Sequence, residues 1–237
     1  MERTADVHAT TSAPRSAVRR RRKKQRPAQI LQAAIHEFAV RGFSGCRVAD
    51  IAAAADLSKG TVYLYFDDKA ALFKAVLRET VEPVFDFDSA EKDVAANRRS
   101  WVVLLRRLLE HWAETLCKPD IAPLLRVLAC DMQATPEVAA YCHERITLRA
   151  ERLIAQVIAC GIRAHQFRAL DENQVARALM APFYLFALWP VDYEPSRLRD
   201  DGLALAIKTS IELQIQGLSL PDQKTRLAER VVVTTRS

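Results

Sequence analysis

The chain has 237 residues, long enough for one large domain or two smaller ones around a real hydrophobic core. Half of the residues are hydrophobic, 27% are charged and only 6 are glycine, a balance that fits a globular protein and favours helix over sheet. The formal net charge is +6, and its distribution says more than its sum. Residues 1–30 hold nine Lys and Arg against two Asp and Glu, whereas residues 79–237 hold twenty against twenty-two, so an anionic partner is expected to meet the N-terminal arm.

In chain order, residues 1–24 read as a flexible segment ending in the basic run Arg19–Lys24. A first helix is expected over 27–41, with Pro27 in its first turn, Ile30, Ala34 and Phe38 on one face and Gly42 ending it. A second helix over 47–54 presents Val48, Ile51 and Ala52. The turn Ala55-Asp56-Leu57 follows, and Ser58 caps a third helix. Asp67 or Asp68 caps a fourth, striped with Leu72, Phe73 and Val76. Beyond Pro83 an acidic connector leads to helices over 94–117, 121–133, 135–160, 172–189 and 202–217. Pro182 is expected to kink the fourth of these, and Gly217 to stop the last. The tail 221–237 is polar. No segment reads as a strand, so the fold class is all-α.

Two short helices joined by a tight turn place the second at an angle suited to the major groove. Ser58 and Thr61 offer hydroxyls, Lys59 a cation and Gly60 an unobstructed backbone. With Val62 and Phe66 inward, Lys59, Thr61, Tyr63 and Tyr65 face outward. Lys69 is placed for a phosphate and Arg47 could reach another.

The motifs Gly42-Phe43, Asp50-Ile51-Ala52, Leu57-Ser58-Lys59-Gly60-Thr61-Val62-Tyr63, Tyr65-Phe66 and Lys69-x-x-Leu72-Phe73 resemble the N-terminal domain of the tetracycline-repressor (TetR) family. The resemblance spans about residues 27–77. It implies a homodimeric, all-helical repressor with an N-terminal helix-turn-helix DNA-binding domain and a helical C-terminal ligand-binding and dimerisation domain. It puts Ser58, Lys59, Gly60, Thr61, Tyr63 and Tyr65 on the recognition helix and Lys69 on a phosphate. Two departures stand out. Cys46-Arg47 replaces the usual Ser or Thr before the second helix, and Tyr65 stands where the family often has His. The implied domains are a basic flexible arm over 1–26, the helix-turn-helix domain over 27–78, an effector and dimerisation domain over 79–220, and a flexible tail over 221–237.

By the same resemblance, the later helices enclose a pocket for a small effector, largely apolar or aromatic. Trp101, Trp112, Met132, Phe183, Tyr184 and Phe186 are candidate lining residues, and Ile207, Ile211 and Ile215 would join a symmetric dimer interface. Five cysteines without a CxxC pair speak against a disulfide scaffold and for a reducing, cytoplasmic setting. Neither a signal peptide nor a membrane span is expected. No HExxH, GxSxG or P-loop occurs, and Cys142 and His143, as helix neighbours, point apart, so no enzyme, metal or cofactor is expected. Cysteine redox sensing would need exposed thiols of lowered pKa. The partners expected are a double-stranded DNA operator, a small-molecule effector and a second copy of the chain. The reading set against this is a helical binding protein that applies its basic arm to anionic surfaces.

Overall fold

The computed structural model describes residues 15–97, 100–116, 118, 120–131, 135–188 and 201–220; the side chains of 15–24, 186–188 and 201–204 lie outside that description. Residues 1–14 of the arm, most of the connection expected at 190–201, the 221–237 tail, Met132 and the side chain of Phe186 are therefore outside the described residues. Among those described there are twelve α-helices and one π-helical turn, and no strand.

Helix α1 spans Arg15–Gly45. The expected flexible arm is thus helical from residue 15, and Pro27 lies inside the helix and not at its first turn. The physical reason is local. Proline removes a single ladder bond, while the Arg, Ala, Lys and Gln preceding it are strong helix formers. Gly42, at φ 70°, marks a kink near the C-terminal end that a side chain would strain. Ile30, Ala34 and Phe38 are fully buried. Phe38 meets Phe73 edge-on at 4.8 Å between centroids.

Helix α2 (Val48–Ala54) packs on α1, and α3 (Lys59–Tyr63) packs on α2. The turn between them uses Asp56 at φ 50°, and Gln29 on α1 donates to the Ala55 carbonyl at 2.7 Å. Helix α4 (Lys69–Thr80) starts at Asp68, whose carboxylate accepts the Ala71 N–H at 2.7 Å. A turn at Val81 leads to the short α5 (Glu82–Phe85), then Asp86 in the left-handed region, then α6 (Phe87–Ala96).

The helix expected over 94–117 is in fact two. Helix α7 (Trp101–Leu116) begins anew after α6 because Gln166, far along the chain, caps it: Gln166 Oε1 accepts the Trp101 N–H at 2.7 Å and the Ser100 hydroxyl at 3.0 Å. Helix α8 (Ala122–Asp131) packs against α1 and α11. Helix α9 (Pro136–Cys142) runs through the π turn His143–Thr147 into α10 (Leu148–Arg163), so the third expected segment is one helix interrupted by a change of pitch. Gly161 on α10 accommodates the buried Phe167 ring, whose nearest carbon would lie 2.1 Å from an added Cβ.

Helix α11 (Glu172–Leu188) is capped by Asp171, which accepts the Asn173 and Gln174 N–H groups at 2.9 Å each. Helix α12 (Asp201–Leu218) runs through Gly217. Its isoleucines correct an expectation. Ile207, Ile211 and Ile215 are buried within the chain, on the side of α12 that packs against α7 and α11, and not on a free interface face. The reason is geometric: the i, i+4 stripe faces α7, and the ion pairs Arg106–Glu212 and Lys208–Glu114 flank that contact. Among the described side chains, the exposed large apolar residues of the last two helices are instead Tyr184 and Leu185 on α11 and Leu205 and Leu213 on α12.

Candidate nucleic-acid interface and effector cavity

Arg47 precedes α2 and carries only donors, so it cannot cap the helix by its side chain. Asp50 supplies the reciprocal half: its carboxylate accepts the Arg47 N–H at 3.0 Å, leaving the guanidinium of Arg47 exposed. Ser58 Oγ accepts the Thr61 N–H at 3.2 Å and shares a hydrogen bond with Thr61 Oγ1 at 2.9 Å. Both hydroxyls are thus engaged in starting α3. Val62 is buried beneath the helix. Lys59 Nζ lies 5.7 Å from the centroid of the Tyr63 ring one turn on, and Tyr63 is 43% exposed. Gly60 faces open space apart from Ser58 Oγ.

Two expected positions are placed differently. Tyr65 is only half-exposed and packs on the core, because the chain has already left α3. Lys69 turns back onto the chain: its ammonium donates to the Phe43 carbonyl at 2.7 Å and the Cys46 carbonyl at 3.1 Å, and it sits over the Phe43 ring. Two of its three N–H bonds are therefore committed to the α1–α2 turn. Sequence reasoning missed Leu64, which is 80% exposed at the end of α3. A leucine among alternating apolar residues reads as core, and no pattern marks it as outward.

The second feature is a cavity of about 280 Å³ under the first. Val81 and Phe85 reach it from the α4–α5 junction, Leu116 from α7, and Leu125, Leu128 and Ala129 from α8. Cys142, Ile146 and Thr147 enter from the π-turn segment, and Met180, Phe183 and Tyr184 from α11. Phe183 and Tyr184 are thus on the wall. Trp112 stands one layer behind: it is fully buried, donates to the Phe85 carbonyl at 3.1 Å, and meets the Phe85 ring edge-on at 5.1 Å. Trp101 is not on the wall; its N–H belongs to the Gln166 cap.

Burial raises the pKa of Tyr184, and Thr147 on the same wall opposes the rise. Burial pushes the Cys142 thiol up to about 12, with the Glu82 carboxylate adding to the effect. Glu82 itself accepts from the Tyr141 hydroxyl and pairs with Arg145 at 3.3 Å. His143 is exposed while Cys142 is buried, so the two neighbours face apart. A second, polar cleft of about 420 Å³ lies along α6 and α7, lined by Asp93, Arg107, Glu110 and Glu114 among others; His111 opens onto it and not into the core.

The helix-turn-helix and the cavity are mechanically joined. Asp131 ends α8, and its carboxylate accepts the Phe43 N–H at 2.7 Å, the Ser44 N–H at 3.3 Å and the Ser44 hydroxyl at 3.1 Å. The turn after Gly42 is thus held by Asp131 on its N–H groups and by Lys69 on its carbonyls. Lys74 on α4 pairs with Glu137 on α9 at 2.8 Å, a second tie between the two parts.

Residues 30–76 match the family model described as bacterial regulatory proteins, tetR family. Over 115 residues the chain is 27% identical to the HTH-type transcriptional regulator BetI of Paraburkholderia phytofirmans, a stretch covering 42% of this chain and 59% of that protein. It is 42% identical over 52 residues to the HTH-type transcriptional repressor SCO4008 of Streptomyces coelicolor, covering 22% of this chain and 27% of that one. The matched stretches thus span less than two thirds of these relatives' lengths. Among solved structures, NalD of Pseudomonas aeruginosa, the secondary repressor of a multidrug efflux pump, aligns with a TM-score of 0.68 at 20% identity over 84% of this chain and 99% of that one. The regulator FadR of Bacillus subtilis, solved with stearoyl-CoA, aligns with a TM-score of 0.64 at 18% identity over 80% of this chain and 98% of that one. At such identities the likeness shows the shared fold across nearly the whole length of those structures. The match over residues 30–76 thus places a helix-turn-helix segment like that of the tetR family of bacterial regulatory proteins at the N-terminal end of this fold.

Proposed function

We propose that this protein is a cytoplasmic, homodimeric transcriptional repressor, released from a near-palindromic operator by a small, largely apolar effector. The observation that carries the reading is the joining of the family-matched segment 30–76 to α8, whose side chains Leu125, Leu128 and Ala129 line the cavity while Asp131 grips the α1–α2 turn. A dimer sets two copies of α3 into successive major grooves about one helical turn, ~34 Å, apart. Lys59, Thr61 and Tyr63 supply the outward groups, with Arg47 and the basic arm on phosphates. Ser58 and Gly60 act through the backbone, by capping and by close approach; Tyr65 and Lys69 chiefly hold the frame.

An effector in the cavity displaces α8 and, through Asp131, the Gly42–Cys46 turn, changing the spacing of the paired α3 helices. Operator affinity falls by no more than the effector's preference for the spread form. No helix of the described residues is long and apolar enough to cross a membrane.

The test is operator selection from a random DNA library, then anisotropy titration of the selected duplex. Lys59→Ala with Tyr63→Ala is expected to weaken binding by roughly tenfold or more, on the scale of about 1–3 kcal/mol per base-edge contact. A double variant that stays dimeric and binds the selected duplex undiminished would sink the assignment of α3 as the reading helix.

A further inference from the structure

We infer that the cavity selects an uncharged, mainly hydrocarbon molecule of about naphthalene size carrying one hydroxyl or carbonyl group, anchored by the Thr147–Tyr184 pair. The inference rests on the reading of this cavity as the effector site.

Among the described residues, the wall carries no Lys, Arg, His, Asp or Glu. An ionised group entering it would surrender its hydration and meet no counter-charge, a cost large enough that a buried group neutralises instead. The one titratable thiol offers no charge either, since burial holds Cys142 protonated far above neutral pH. Glu82, the carboxylate acting on Cys142, is occupied by Tyr141 and Arg145 and is not on the wall. It therefore repels an anion without being available to pair with a cation.

A cation could still be held by aromatic faces. Against this, the Phe85 ring is already stacked on Phe87 at 5.2 Å and met edge-on by Trp112 at 5.1 Å. What remains is two rings, Phe183 and Tyr184, on a wall that is otherwise aliphatic, which is not a cage.

The polar anchor follows from the π turn. In an α-helix, residues five apart lie far round the axis, so a wall bearing Cys142 and Ile146 would carry Thr147 away from the cavity. In a π turn the repeat is i to i+5, which returns Thr147 to the face of Cys142. Tyr184 lines the same cavity from α11. Each hydroxyl can both donate and accept, so the pair serves a ligand hydroxyl or carbonyl equally. The volume of about 280 Å³ corresponds to roughly nine water-sized groups at ~30 Å³ each.

The probes are 1-naphthol, naphthalene, 1-naphthoate and trimethyl(1-naphthyl)ammonium, titrated into the full chain by calorimetry. Saturable 1-naphthol binding is expected, with both charged analogues at least about tenfold weaker. Thr147→Val and Tyr184→Phe should each weaken 1-naphthol by about threefold to tenfold and leave naphthalene unchanged. Ala129→Phe, and separately Leu125→Phe in case one variant fails to fold, should abolish binding of both neutral probes. The inference is overturned if either charged probe binds as tightly as 1-naphthol. It is equally overturned if the folded protein binds no neutral probe, or if 1-naphthol is indifferent to the wall variants. Saturating 1-naphthol binding that leaves affinity for the selected operator untouched supports the ligand class and refutes the effector reading, so the two failures are told apart.

Discussion

Asp131 accepts three hydrogen bonds from a turn that contributes nothing to its own helix. Removing the carboxylate leaves the part-buried Phe43 N–H without its partner while exposed Ser44 turns to water, and one such stranded donor costs about 1–3 kcal/mol. Asp131→Ala is expected to lower the urea midpoint accordingly, and to blunt the response of operator binding to any cavity ligand, a readout that loss of packing alone would not move. Thiols give a second test at this scale. Burial raises Cys46 to about 11 and Cys142 to about 12, well above an ordinary thiol. Both stay protonated below pH 9, so their contribution to stability is intact there and declines as the pH rises from 9 through 11 and 12. At pH 8 a thiol reagent should modify exposed Cys130 quickly and spare Cys46 and Cys142 until the protein is unfolded. The sequence foretold the capping by Ser58 and Asp68 because capping is local chemistry. It did not foretell the turn of Lys69 onto two carbonyls or the exposure of Leu64, because both depend on where another helix ends.

At the level of helices, the 3.6-residue rhythm revealed nearly every segment and missed the interruptions. The break between α6 and α7 is invisible locally, since Gln166 makes it from a distant loop. The π turn leaves no mark on a pattern that tolerates one extra residue. The stripe on α12 was legible as apolar but not as to its partner: Ile207, Ile211 and Ile215 face inward, while Leu205 and Leu213, each 65% exposed, face out. The two faces respond differently. Ile211→Ala should destabilise the fold by about 2–5 kcal/mol, seen in chemical unfolding. Leu205→Glu with Leu213→Glu should leave the monomer folded and shift the mass measured by light scattering from dimer to monomer; a dimer that persists would place the symmetric contact elsewhere. Gly161→Ala drives a Cβ into the Phe167 ring, and about 1–3 kcal/mol of overpacking is expected in the same unfolding assay.

For the molecule as a whole, charge and shape divide the work. Excess positive charge sits in residues 1–30, while the reading surface is built from a few residues of α3. Deleting residues 1–24 should therefore weaken operator binding and flatten its dependence on salt, yet preserve the preference for the selected sequence over a scrambled one. Loss of sequence preference along with affinity would assign recognition to the arm itself. That residues 27–77 resemble a DNA-binding part was legible from the motifs, and a separate cavity part is the proposal. The ties that make them one mechanism, Asp131 to Ser44 and Lys74 to Glu137, were not, because side chains paired across the fold carry no signature in either segment.

The Gln166 cap has a consequence for how the chain comes to be folded as it is made. Helices α1–α4 share the packed rings of Phe38, Phe43 and Phe73 and can come together once α4 has emerged, since N-terminal units fold first during synthesis. Helix α7 cannot: the acceptor for its Trp101 N–H arrives 65 residues later. That same loop is fastened last of all, when the Leu220 N–H reaches the Gln166 carbonyl at 2.9 Å and the Arg168 N–H the Leu218 carbonyl at 3.0 Å. A nascent chain thus brings α1–α4 together while Asp131, which holds the α1–α2 turn, is still to come, and the loop of Gln166 is fastened only after α12 has left the ribosome.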